Sequence, residues 1–98
     1  MPITRKQFEL GIDNAAKDWM KRLHSFLADH KAEAFSAQEL AEREGVEWST
    51  FDGEPVGDAR FVHYALDKLS RLDWVERRWV RDEWYYAYSS PWEEEEIE

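Results

Sequence analysis

Apolar residues recur at steps of three and four along the first third of the chain, from Phe8 to Phe26. This spacing places them on one face of an amphipathic helix, because a helix turns by about 100° per residue. The phase continues across Gly11, so the pattern predicts one long N-terminal helix within residues 1–33. A break at Gly11, with Asp13 capping a second helix, is the alternative.

Two shorter helices are predicted further along the chain. Ser36 and Glu39 have the spacing of a capping box, and Gly45 suits the left-handed position that ends a helix. Residues 46–57 are rich in glycine and turn-forming residues and predict a loop. Asp58 is placed to cap a third helix. The predicted buried stripe of that helix comprises Phe61, Val62, Ala65, Leu66, Leu69 and Leu72.

Aromatic and β-branched residues are concentrated in two segments, 74–80 and 84–89, which are separated by a polar trio at 81–83. This composition predicts a C-terminal β-hairpin. A turn made by the last two residues of the trio would place Trp79 opposite Tyr86. One face of the hairpin should pack on the helices. The other should present aromatic side chains to a protein partner or to stacked bases, unless loop or tail residues cover it.

The formal net charge of the 98 residues is −9, and the acidity is unevenly distributed. Residues 34–56 carry −5, residues 85–98 carry −5, and residues 57–84 are balanced. Because like charges repel one another, residues 91–98 are predicted to form a disordered acidic tail. The charge of the whole chain opposes indiscriminate binding to nucleic acid. Any binding to DNA is therefore expected to rely on local basic side chains within residues 57–84.

The residue types that catalytic and metal centres need are missing or scattered. The chain has no cysteine and its three histidines lie far apart in sequence, so we expect neither a metal site nor a cofactor. It has no glycine-rich phosphate loop and no triad spacing, and we expect no enzymatic activity. The lack of cysteine, of a long apolar run and of a hydrophobic leader predicts a soluble cytoplasmic protein.

Two stretches of the chain resemble the winged helix-turn-helix superfamily. Residues 35–46, FSAQELAEREGV, resemble its second helix, and residues 65–78, ALDKLSRLDWVERR, resemble its third helix leading into the wing. The resemblance implies an α+β domain with three helices, the first one long, and a C-terminal β-hairpin wing. Residues 34–90 would form the winged-helix core, and residues 1–33 would belong to the same domain. The connection at 46–57 is longer than the tight turn typical of the superfamily.

The resemblance also implies a function, the binding of double-stranded DNA by a transcription regulator. In this superfamily the third helix commonly enters the major groove, where arginine bonds to guanine, and the wing contacts phosphates. The residues implied for the helix are Arg60, His63, Tyr64, Lys68 and Arg71, and those implied for the wing are Arg77, Arg78 and Arg81. The alternatives are an ordinary solvated helix face and arginines that pair with acidic neighbours across the hairpin.

A protein partner is the alternative to DNA. The aromatic hairpin or the acidic second helix would then form the docking surface. The acidic residues concerned are Glu39, Glu42, Glu44 and Glu47. The N-terminal helix extends beyond what a three-helix core needs, so Phe8 and Ile12 are predicted to form a homodimer contact. The alternative is that this segment folds back over its own core.

Overall fold

The computed structural model describes residues 2–97 and confirms the predicted α+β class. Its helices are α1 (Arg5–Leu10), α2 (Asn14–Asp29), α3 (Ala37–Arg43) and α4 (Asp58–Arg71). Its strands are β1 (Phe35–Ser36), β2 (Ser49–Phe51), β3 (Glu54–Val56), β4 (Val75–Val80) and β5 (Glu83–Tyr88). A short 3-10 turn, Glu94–Glu96, follows the last strand.

The prediction of one long N-terminal helix is wrong, because the chain breaks at Gly11. Gly11 closes α1 with a φ of 74°, a left-handed conformation that glycine adopts without a Cβ clash. Asp13 then caps α2 by accepting a hydrogen bond from the backbone N–H of Ala16. A glycine inside a helix costs about 1 kcal/mol relative to alanine, whereas at a C-cap it favours the turn. Two well-capped helices therefore replace the single long one.

The break determines where the two predicted dimer residues lie. Ile12 is only 1% exposed and belongs to the chain's own core, so its side chain is not available to a second copy. Phe8 is 65% exposed, and the guanidinium of Arg5 lies over its ring. The N-terminal segment thus folds back over its own core. Phe8 and Ile12 do not share one outward surface.

α2 and α4 pack against each other at the centre of the core. The buried residues of α2 include Ala16, Met20, Leu23 and Leu27, and those of α4 include Val62, Ala65, Leu66 and Leu69. Most of the stripe predicted for the third helix is buried, but Phe61 is partly exposed. Because this packing uses one side of α4, the opposite side faces solvent.

α3 begins as predicted, but the connection that follows it is not a plain loop. The backbone N–H of Ser36 donates to the carboxylate of Glu39 at 3.0 Å, and the Ser36 hydroxyl accepts from the Glu39 backbone. β2 and β3 then form a small antiparallel hairpin, in which Phe51 is 71% exposed. The predicted capping of α4 by Asp58 is wrong, because Gly57 occupies the N-cap position and no side chain caps the helix.

The three-stranded sheet has the order β1-β5-β4. Its hairpin turn consists of Arg81 and Asp82, both left-handed with φ values of 47° and 67°, which matches the twist of the flanking strands. Trp79 therefore faces Trp84 and not Tyr86, so the predicted turn was one residue too late. The register shifts by two residues and side chains alternate with a period of two, so the residues still share faces as predicted. The prediction that the face opposite the helices exposes the aromatic side chains is wrong, because Trp79 and Trp84 lie on the face that packs on the helices.

The acidic tail is packed against the helices as far as residue 97, contrary to the predicted disorder; residue 98 lies outside the described residues. Trp92 packs on Trp74 with ring centroids 4.7 Å apart, and Ile97 is fully buried. A carboxylate oxygen of Glu94 lies 2.6 Å from Lys17 Nζ, and the other lies 3.5 Å from Lys21 Nζ. The lysines of α2 thus offset part of the repulsion between the glutamates of the tail. Burial of Trp92 and Ile97 stabilises the packed position of the tail.

Candidate functional site

The solvent face of α4 carries most of the helix residues that the sequence suggested for DNA binding. Arg60, Tyr64, Asp67 and Arg71 follow one another at steps of three and four, so they lie along one side of the helix. We call these four residues the α4 ridge. The turn between α1 and α2 contacts one flank of the ridge, and the β4–β5 hairpin contacts the other.

The flank beside the α1–α2 turn holds two of the predicted site residues. The hydroxyl of Tyr64 donates a hydrogen bond to the carbonyl of Gly11. The ammonium group of Lys68 lies 5.1 Å from the centroid of the Tyr64 ring. Arg60 lines a shallow cleft with Asp13, whose carboxylate already caps α2. Tyr64 therefore anchors the ridge to the N-terminal turn, beside exposed Arg60 and half-buried Lys68.

On the hairpin flank, one carboxylate is shared between two arginines. Asp67 Oδ2 lies 3.1 Å from Arg71 Nε, and Asp67 Oδ1 lies 3.8 Å from Arg77 Nη1. The guanidinium of Arg77 also lies 4.7 Å from the centroid of the Trp84 ring. Solvent-exposed ion pairs of this kind contribute only about 0–1 kcal/mol. An incoming anion can therefore compete with Asp67 for either guanidinium.

Tyr86 lies opposite Arg77 in the hairpin and is buried. Burial raises the pKa of its phenol above the ordinary value of 10.0. The guanidinium of Arg77 opposes that rise by charge attraction and by a hydrogen bond, and the carboxylate of Asp67 adds to it. The phenol is therefore neutral at physiological pH, and Asp67 is the acidic group that pairs with Arg77.

The other two predicted wing arginines lie in different surroundings. Adjacent residues of a strand point to opposite faces, so Arg78 lies on the outer face of the hairpin, away from α4. There its guanidinium pairs with the Glu76 carboxylate at 2.9 Å. Arg81 is exposed in the hairpin turn. Of the three arginines, only Arg77 lies against Asp67. The prediction grouped Arg78 with Arg77 on one phosphate-binding surface, but the two side chains lie on opposite faces of the hairpin.

The tip of the hairpin exposes aromatic rings on its inner face. Trp79 and Trp84 pack edge to face with centroids 5.2 Å apart and are 57% and 40% exposed. His63 of α4 lines a cleft of about 210 Å³ with Trp84 and with Trp48 from the connection. His63 is thus directed at the hairpin and stands beside the ridge. Trp92 packs at the base of the hairpin and leaves the tip uncovered.

Several glutamates lie away from the ridge, whereas Asp67 belongs to it and Asp13 and Asp73 line clefts beside it. The register places Glu76 and Glu83 on the outer face of the hairpin. On α3, the carboxylate of Glu44 pairs with the guanidinium of Arg22 at 3.1 Å. We call Arg60 and Arg71 on the ridge, Lys68 on one flank and Arg77 on the other the basic surface. A local excess of positive charge therefore exists on a chain whose net charge is −9.

Among residues 2–97, no cluster of three or more histidine, aspartate or glutamate side chains is arranged to hold a metal ion. Within the same residues, no helix has both the length and the apolar character that crossing a membrane requires. Comparisons of the chain with protein-family models, with curated proteins and with solved structures find no match. The description of this surface therefore rests on the geometry of the chain alone.

Proposed function

We propose that this protein is a winged-helix domain that binds double-stranded DNA through α4. The order of elements supports the assignment, because α2, β1, α3, α4 and the β4–β5 hairpin follow the plan of helix, strand, two helices and wing. The small β1 strand pairs with β5 and ties the wing to the helices. In this assignment, β2 and β3 form an insertion between the two helices of the helix-turn-helix.

The basic surface is the observation that carries the proposal. Arg71 and Arg77 contact Asp67, and Arg60 and Lys68 lie further along the same side of α4. The glutamates of the outer hairpin face, α3 and the tail lie elsewhere. A phosphate backbone is attracted to the first region and repelled by the others. The charge distribution therefore favours one orientation of the protein on DNA and disfavours non-specific contacts through its other faces.

The position of each basic side chain suggests a role. The major groove is about 12 Å wide and admits an α-helix, so the ridge is the part of α4 that would enter it. Arg60 and Arg71 lie along the exposed side of the helix and would bond to guanine edges or to the nearest phosphates. Lys68 and Arg77 lie on the two flanks and would contact phosphates. A phosphate would then replace Asp67 as the partner of Arg77.

Fluorescence anisotropy of a labelled DNA duplex tests this proposal at about 50 and 200 mM salt. The double variant Arg60→Ala, Arg71→Ala should bind roughly tenfold more weakly than the parent protein, with a shallower dependence on salt. Arg78→Ala is the matched control, because it also removes a guanidinium but from the outer face of the hairpin. Its affinity should change by less than about twofold. Equal losses in all variants, or no binding by the parent protein at tens of micromolar, would contradict the proposal.

The exposed tryptophan pair favours a second candidate function, the docking of a protein segment at the hairpin tip. Trp79 and Trp84 form an apolar surface, and the adjoining Asp82 and Glu83 are acidic and exposed. The complementary partner is a peptide that carries an apolar side chain next to lysine or arginine. Tryptophan fluorescence titrated with such peptides should respond, and Asp82→Asn should weaken the response. A parent protein that binds these peptides but not DNA would favour this function.

A further inference from the structure

The outer edge of β4 has no strand beside it among residues 2–97, because the sheet order is β1-β5-β4. In an antiparallel pair, successive residues direct their backbone groups alternately toward and away from the neighbouring strand. The backbone N–H of Ser89 donates to the carbonyl of Trp74 at 3.1 Å, so the even-numbered residues of β4 bond to β5. The backbone groups of Val75, Arg77 and Trp79 therefore point outward.

This edge is open along most of its length. Residues 76–80 are all exposed. The carbonyl of Arg77 accepts a hydrogen bond from the side chain of Arg78 at 2.9 Å, which a backbone N–H can replace. An exposed edge strand is a template for pairing with another strand, and charged side chains limit which strands fit. The charges on β4 are therefore the feature that selects its partner.

We propose that β4 pairs antiparallel with β4 of a second copy, with the two-fold axis at Arg77, to form one continuous sheet. Such a symmetric interface requires an edge that is complementary to itself. In this register Glu76 of each copy lies opposite Arg78 of the other. On the inner face, Val75 of each copy lies opposite Trp79 of the other.

The neighbouring registers are disfavoured by charge. Because the outward backbone groups belong to odd-numbered residues, the register can shift only in steps that keep odd residues facing odd residues. A shift toward the start of β4 places Glu76 opposite Glu76, and a shift toward its end places Arg78 opposite Arg78. Like charges directly opposite each other destabilise a strand pair, and opposite charges stabilise it. The register centred on Arg77 places one like-charged pair, Arg77 with Arg77, but two oppositely charged pairs of Glu76 with Arg78, so charge favours it over its two neighbours.

The shape of the surface beside the edge fits the same register. A cleft of about 370 Å³ lies against β4 and is lined by Val75, Ser70 and Asp73, among other residues. Trp79 of a second copy would stand opposite Val75 and next to this cleft, and its ring is 57% exposed in the single chain.

The axis brings two Arg77 side chains together, and each already has a counter-charge. Asp67 lies 3.8 Å from Arg77 within the same chain, so the axis region would hold two guanidinium groups and two carboxylates. Glu76 and Arg78, which pair within one chain at 2.9 Å, would exchange partners across the interface. No charged group that is paired in the single chain therefore loses its partner in the dimer. None of the observations behind this proposal requires DNA binding.

Sedimentation velocity of the full-length chain, from about 10 µM to about 1 mM, tests the proposal through the mass of the particle. The parent protein should pass from 11.8 kDa toward twice that mass. Glu76→Arg places two arginines opposite each other at this pair of positions, and Arg78→Glu places two glutamates there. Each variant alone should therefore dimerise at least tenfold more weakly. An equimolar mixture of the two variants restores opposite-charge pairs and should dimerise again.

The mixture also serves as the control for folding, because misfolded variants would not recover a dimer. A parent protein that stays at 11.8 kDa over the whole range would overturn the proposal. So would single variants that dimerise as well as the parent protein, because the contact would then lie elsewhere. A mixture that stays monomeric while the parent protein dimerises would overturn the register centred on Arg77.

Discussion

Asp67 is the residue that most limits the charge of the basic surface. Its carboxylate is shared by Arg71 and Arg77, so it lowers the attraction of both guanidinium groups for a phosphate. In the proposed complex, DNA has to replace an existing ion pair to bind either arginine. The cost of that replacement is modest, about 1 kcal/mol or less for an exposed pair.

Asp67→Asn should therefore strengthen DNA binding. Removal of the carboxylate frees two arginines without changing the size of the side chain, and we expect roughly a fivefold gain in affinity at low salt. Asp52→Asn is the control, because it removes the same charge from the exposed β2–β3 turn. Anisotropy titrations of both variants measure the difference. An equal gain from both would show that net charge, and not the position of Asp67, sets the affinity.

At the scale of secondary-structure elements, local signals predicted some boundaries correctly and long-range contacts decided the others. The capping box at Ser36 and the apolar stripe of α4 are local, and both were predicted. The break at Gly11 was only the alternative, because apolar periodicity does not report a left-handed residue. The hairpin turn was misplaced because Arg81 and Asp82 are left-handed without being glycine, the usual marker of such turns.

The tail is the element for which the sequence was least informative. A run of four glutamates predicts disorder, and the contacts that order it come from distant residues. Ile97 is buried in the core, the hydroxyl of Thr4 lies 3.4 Å from its carbonyl, and Lys6 Nζ donates to the carbonyl of Glu95 at 2.7 Å. The tail thus links α1 to the rest of the fold.

Ile97→Ala should consequently destabilise the protein. Loss of a buried isoleucine side chain costs about 2–5 kcal/mol in a rigid core, and we expect about 2 kcal/mol here because a chain terminus relaxes more easily. Glu96→Ala, which changes an exposed neighbour, should cost less than about 0.5 kcal/mol. Urea denaturation followed by tryptophan fluorescence gives both values. If the tail were disordered, neither variant would lower the free energy of unfolding.

At the scale of the whole molecule, the central proposal is that DNA binds at the basic surface, which the exposed side of α4 and Arg77 form together. The sequence located Arg60 and Arg71 on the solvent side of α4, because helical periodicity alone determines it. Periodicity within α4 did not show that Arg77 joins them and that Arg78 does not. That distinction depends on how the hairpin packs against the helix.

Titration of the ¹⁵N-labelled protein with a short DNA duplex, followed by two-dimensional amide spectra, tests that claim most directly. We expect the largest shifts in the amides of α4 and around Arg77, and in the indole N–H signals of Trp79 and Trp84. The amides of α3 and of the 3-10 turn should hardly move. Shifts confined to α3 or the tail, or no shifts at all, would contradict the proposal that α4 binds DNA.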